Sequence, residues 1–236
     1  QFLLKIHHEK FSGPTEKPKT TTNAFGSIAD YLLFFENRNY EIKGFVKDLK
    51  ETENSSIEKL KEVIIPKIDD CLKNMFEIGK DTKNKYTEVF QLKDYTLEEF
   101  YKRILHAYTI SGFLYRKMNE FLRNEDWVQL DLLLPYVYCL FQAFLRHANK
   151  QTVLKDFDFF KSKLDQEGKL ILYRGADFDD DSLKFYEPAK IKNFSWNAVT
   201  STSLKKEATG IFRGNDPTKI KRPVLIIIEV DFKELL

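Results

Sequence analysis

The chain has 236 residues, 42% hydrophobic and 31% charged, with Lys+Arg 38 against Asp+Glu 36. A net charge of +2 is too small to argue for nucleic acid or an anionic membrane as partner. The length suits one large domain or two small ones, and 21 Phe and 11 Tyr against 9 Gly point to a packed, mostly helical protein.

Phe11 to Asn23 is polar and proline-bearing, so residues 1–25 read as an extended arm or linker. Ile28 to Gly44 predicts one helix, with Tyr31, Leu32, Phe34 and Phe35 bunched on it. Ser55-x-x-Glu58 has the form of a capping box. Behind it Ile57, Leu60, Ile64, Ile68, Cys71, Leu72, Met75 and Phe76 recur at helical spacing. Pro66 should kink or divide that run. The stretch Lys43–Lys67 alternates lysine with acid and reads as a solvated helix surface.

Lys80 to Lys85 is a charged joint. After it, Thr96-x-x-Glu99 is a second capping box, and Leu97, Phe100, Tyr101, Ile104, Leu105 and Tyr108 form one apolar stripe. Gly112 breaks the chain before a shorter helix carrying Leu114, Met118, Phe121 and Leu122. A single long helix is predicted from about Trp127 to His147, with Pro135 absorbed near its first turns. After Gly168 the pattern changes. Leu170 to Tyr173 reads as a strand bounded by glycines, and Val199 to Ser203 is β-branched and alternating. Val224 to Val230 is nearly continuous β-branched sequence, the mark of a central strand buried on both faces. Helices first and strands last make an α+β order.

Cys71 and Cys139 are the only cysteines. They are far apart, with no CxxC and no clustered histidines, so no metal site is expected. Cys139 lies in the apolar stretch Leu132–Leu145 and reads as a buried thiol and not a disulfide, which favours a reducing, intracellular compartment. No run approaches the roughly 18 apolar residues of a membrane span. Gln1 and the apolar Leu235-Leu236 at the two ends read as the limits of a segment of something longer, so a missing targeting peptide carries no weight.

Two short motifs carry chemistry. Leu172-Tyr173-Arg174-Gly175 ends the first strand, and Val199-Thr200-Ser201-Thr202-Ser203 lies further on. An arginine at a strand end offers a planar fork for phosphate oxygens. A glycine after it lets the backbone approach a flat ligand. Ser201 and Ser203, at i and i+2 on a strand, would project together. Each motif alone is common; their order, spacing and strand context give the pair its meaning.

With these residues the segment from about Tyr95 to Leu236 resembles the arginine-specific mono-ADP-ribosyltransferases, named for an Arg, Ser-x-Ser and Glu-x-Glu signature. Tyr115-Arg116-x-x-Asn119-x-x-Leu122-Arg123 is similar to the helical region before the family's first core strand, Ala208 to Phe212 to the short helix after its second motif, and Pro223 to Val230 to its next strand. The resemblance implies an N-terminal helical region followed by a mixed or antiparallel β-sandwich-like NAD-binding core. It divides the chain into a helical extension at 26–85 and a transferase-like domain at 86–236, with a helical lobe at 86–168 and a β core at 169–236. It makes NAD the substrate, with no metal. Arg174 would bind the pyrophosphate or adjoining ribose, and Gly175 the nicotinamide amide through its backbone. Ser201 would position the catalytic Glu and the nicotinamide ribose, and Ser203 would complete the cofactor set by supporting that strand. The Glu-x-Glu itself is expected beyond Leu236. Glu229-Val230-Asp231 has the wrong strand position, and Glu229 reads as a strand-end carboxylate facing solvent or a lysine.

Two functions follow. One is transfer of ADP-ribose from NAD to a protein acceptor, on arginine, with release of nicotinamide. The other is a catalytically inactive domain of the same type, docked on a larger assembly through residues 1–85.

Overall fold

A computed structural model describes residues 28–55, 57–78, 96–110, 113–147, 157–178, 199, 201–212 and 222–231. It is mostly helical with a small antiparallel sheet, an α+β fold. The arm at 11–23 and the joint at 80–85 lie outside the described residues.

Short polar breaks set the first helix lengths. The single helix expected over Ile28–Gly44 is two, α1 (Ile28–Glu36) and α2 (Tyr40–Ser55). Asparagines cause the break, because their side chains compete for backbone partners at helix ends. Asn37 Nδ2 donates to the Leu33 carbonyl at 2.9 Å, and Asn39 Oδ1 accepts from the Ile42 amide at 2.8 Å. Helical structure resumes at α3 (Ile57–Lys59), close to where the first capping box placed it; Ser56 and the Ser55 side chain lie outside the description. Pro66 sits at the start of the last of three helical segments into which the run falls. Leu60–Ile64 is a π-helical segment that flows into α4 (Ile65–Ile78), with the Ile65 amide bonded five residues back to the Leu60 carbonyl. Proline lacks the N–H of a regular ladder, and a wider turn just before it absorbs the loss. The lysine-rich surface is solvated as expected: Asp48 pairs with Lys67 at 2.8 Å, and Lys59 pairs with Glu51. The Lys67 hydrogen bond holds the Asp48 carboxyl below its ordinary range.

The second capping box forms in half. Thr96, in extended geometry, accepts from the Glu99 amide at 3.1 Å and opens α5 (Leu97–Thr109). The Glu99 carboxylate takes Arg103 Nε at 2.9 Å. Next come α6 (Phe113–Asn124), α7 (Trp127–Asp131) and α8 (Leu134–His147). The long helix expected from Trp127 is therefore cut at Leu132–Leu133. Pro135 is the reason: it sits in the first turn of α8, where its missing N–H costs nothing, and it cannot continue a helix from behind.

Cα geometry divides the chain into Phe25–His147 and a unit of Ala148–Leu236 with Gln1–Ala24. In the first, α8 is the centre, with Leu134, Tyr136, Val137, Tyr138, Cys139, Leu140, Phe141 and Ala143 all buried. Phe141 packs against Tyr31 and Phe35 of α1, with ring centroids at 5.2 and 5.6 Å. Tyr136 OH donates to the Ile104 carbonyl of α5 at 3.2 Å. Helices from the expected 26–85 extension and from the expected 86–168 lobe thus share one core. Cys71 and Cys139 are buried and not joined in a disulfide.

The second unit holds α9 (Phe157–Lys161), β1 (Lys169–Phe178) and β2 (Arg222–Asp231). A turn closed by Gly168, at φ 80, leads into β1, and Asp165 Oδ1 accepts from the Glu167 and Lys169 amides at 2.9 and 2.8 Å. The strands pair antiparallel, with Arg174 opposite Ile226 and Gly175 opposite Leu225. Leu170, Leu172, Ile226, Ile228 and Val230 form a buried cluster under Phe160, Leu164, Leu204 and Val224. The expectation for β2 needs correction. It is buried on one face only: Ile226, Ile228 and Val230 are inside, while Ile227 is 51% exposed. An unbroken β-branched run does not distinguish a strand covered on both faces from one covered on a single face.

Candidate functional site

Strand alternation assigns the motif residues to two faces. Leu170, Leu172 and Arg174 share the face of the buried cluster, and Ile171, Tyr173 and Gly175 share the other. Arg174 stands at the rim of the apolar face and is half-buried.

The second motif lies beside the first. Tyr173 and Ser203 form a bridge through two backbone hydrogen bonds, Tyr173 N–H to the Ser203 carbonyl and Ser203 N–H to the Tyr173 carbonyl, each 2.8 Å. The bridge is isolated: pairing does not extend to Gly175 and Ser201, the next positions in register. Instead the Arg174 guanidinium donates through Nη1 to the Ser201 carbonyl at 3.1 Å. A half-buried hydrogen bond from a charged donor is worth about 1.5–3 kcal/mol net.

This geometry has a consequence for Gly175. Residues two apart in a strand turn their amide and carbonyl to the same edge. Since Tyr173 uses both groups on Ser203, the N–H and C=O of Gly175 also face the Ser201 side, beyond the end of the short ladder. Gly175 itself is buried, with Thr209 lying against it. The Arg174 guanidinium beside it has a planar fork of the kind that suits phosphate.

The structure brings Arg174 to the Ser201 carbonyl beside Gly175, and Ser203 is held to the first strand by its backbone, the supporting place expected for it. Its side chain shares the face of Tyr173, away from Arg174, and its Oγ accepts from the Lys205 amide at 3.0 Å. It shapes the turn into the 3₁₀ helix Lys206–Phe212 rather than pointing at a ligand beside Arg174. The reason lies in the backbone. Among the described residues of the second motif, only Ser203 forms a β-bridge. Ser201 meets Arg174 through its carbonyl.

Glu229 is placed as the sequence suggested, exposed and 3.6 Å from Lys169 Nζ. The helix expected over Ala208–Phe212 begins at Lys206 and is 3₁₀. Thr209, which sequence reasoning missed, lies on Gly175 and is only 2% exposed. No pattern announces it, because the contact runs through its backbone carbonyl. A groove of about 470 Å³ in the helical unit is walled by Glu36, Lys43, Lys47, Lys50 and Glu51 and contains none of the motif residues. Among the described residues no group of His, Cys, Asp and Glu could hold a metal ion. No helix among them is long and apolar enough to cross a membrane.

Comparison with protein-family models, curated proteins and solved structures finds no match to this chain.

Proposed function

We propose that the β unit binds NAD at Arg174, Gly175 and Ser201 and takes part in transfer of ADP-ribose to a protein acceptor, with nicotinamide released. The observation that supports this reading is the Arg174–Ser201 hydrogen bond, which sets a guanidinium beside the backbone of Gly175. A dinucleotide with a carboxamide at one end and a pyrophosphate in its middle matches that pair of groups. In the proposed chemistry the bond between nicotinamide and ribose breaks, leaving an oxocarbenium-like sugar and a neutral leaving group. The guanidinium holds the pyrophosphate, the Gly175 backbone holds the departing amide, and Ser201 orients the ribose and the carboxylate that stabilises the cation. Arginine as acceptor rests on the resemblance of the motifs and not on any group in the site.

Incubation with adenylate-labelled NAD and an arginine-rich acceptor tests the proposal. Wild type should label the acceptor and release nicotinamide. Arg174→Ala should cut labelling by about 10- to 100-fold, the loss of one charge-assisted hydrogen-bonding group. Equal labelling by the two proteins would remove Arg174 from the site. Binding of NAD without release of nicotinamide would leave the binding site and assign the inactive form of the domain.

A further inference from the structure

The groove of about 470 Å³ in the helical unit lies between the end of α1 and one side of α2. Its volume is in the range of small-ligand clefts. Lys43, Lys47 and Lys50 line it at i, i+4 and i+7, so they share one side of α2. They stand beside the buried stripe of Ile42, Phe45, Val46 and Leu49. Along the helix axis Lys47 is about 6 Å and Lys50 about 10.5 Å beyond Lys43.

The two acids of the groove are already engaged. Glu36 Oε1 accepts from Tyr138 OH at 2.6 Å and from Lys50 Nζ at 3.1 Å, and Gln142 Nε2 donates to the same phenol oxygen at 3.0 Å. Tyr138 is fully buried, so the core fixes Glu36 and, through it, Lys50. Glu51 is paired with Lys59 and meets Lys47 only at 4.0 Å, with the Lys47 side chain 77% exposed. Lys43 is exposed and makes no ion pair among the described residues. The ammonium groups of Lys43 and Lys47 thus stay largely uncompensated on one wall.

We infer that this groove takes an acidic, extended peptide segment of a partner protein, with carboxylates two residues apart on Lys43 and Lys47. In an extended chain such side chains lie on one side and repeat about every 6.7 Å, close to the spacing of the two lysines. That spacing favours carboxylates in series over one compact anion. The net charge of +2 on the whole chain supplies no general field for a polyanion, so the local stripe sets the affinity. The groove lies in the helical unit and owes nothing to the NAD reading.

Fluorescence anisotropy of a labelled hexaglutamate peptide with the full chain, at low and high salt, provides the test. Binding should saturate at low salt and fade at high salt, as exposed charge pairs do. Lys43→Gln combined with Lys47→Gln should weaken it about fivefold, the worth of two exposed ion pairs. Lys73→Gln combined with Lys102→Gln is the control. It removes the same net charge from lysines outside the groove, which pair within their own helices with Asp69 and Glu98. It should change the affinity by less than about twofold. No saturable binding, an equal loss in the control, or binding that survives high salt overturns the inference. So does displacement of the label by inorganic phosphate or by oligothymidylate at a lower concentration than by unlabelled peptide, which would assign the groove to a small anion or to a nucleic acid strand.

Discussion

Ser201 and Ser203 are two positions apart and serve different ends. One gives its carbonyl to a guanidinium; the other gives its hydroxyl to a turn. What separates them is one backbone pairing that stops after Tyr173 and Ser203. Burial decides the behaviour of Cys71 in the other unit. It pushes the thiol from its ordinary 9.0 up to about 12. The unfolded chain therefore gives up this proton near pH 9, while the native chain keeps it. Between about pH 9 and 12 each rise in pH favours unfolding, by at most about 1.4 kcal/mol per pH unit. Tyr31, moved by burial from 10.0 to about 12, adds to the same trend from pH 10. Urea unfolding followed from pH 8 to 11 should show stability flat to about pH 9 and falling beyond it. Cys71→Ala should flatten the curve between pH 9 and 10. An unchanged slope in the variant would mean that the thiol is solvated in the native protein.

Among elements, those with a strong local code were legible. Thr96 followed by Glu99 and a clean apolar stripe gave the start and the buried face of α5. The glycine-bounded run before Arg174 gave β1. Breaks within long apolar stretches were not. Asn37 and Asn39 split one expected helix, Pro135 split another, and the break expected at Pro66 takes the form of a π turn just before it. In each case a single side chain or a missing N–H outweighed a periodic pattern that ran straight through it. β2 shows the reverse problem, since its β-branched composition hid a two-residue alternation of burial. In the site, the partnership of Arg174 with the second motif was legible from order and spacing. The contact of Arg174 with the Ser201 carbonyl, and the cover supplied by Thr209, depend on backbone direction, which side-chain identity does not encode. Thr96→Ala should lower stability by about 1 kcal/mol through loss of the cap. Denaturant titration monitored by circular dichroism checks this; a change under a few tenths would mean that the Glu99 amide finds an equal partner in water.

At the scale of the whole molecule, the chemistry-bearing motifs and the larger core fall in different units. The helical unit centres on α8, with eight buried residues from that helix alone. The β unit holds a small apolar cluster of Leu170, Leu172, Ile226, Ile228 and Val230, on the strand face that Arg174 shares. The measurement that tests the NAD assignment most directly is titration of the isotope-labelled full chain with NAD, followed by amide NMR. Wild type should give saturable shifts at Arg174, Gly175 and Ser201, absent or much weakened in Arg174→Ala. Shifts confined to other residues, or unchanged in Arg174→Ala, would contradict the assignment of a dinucleotide to this strand edge.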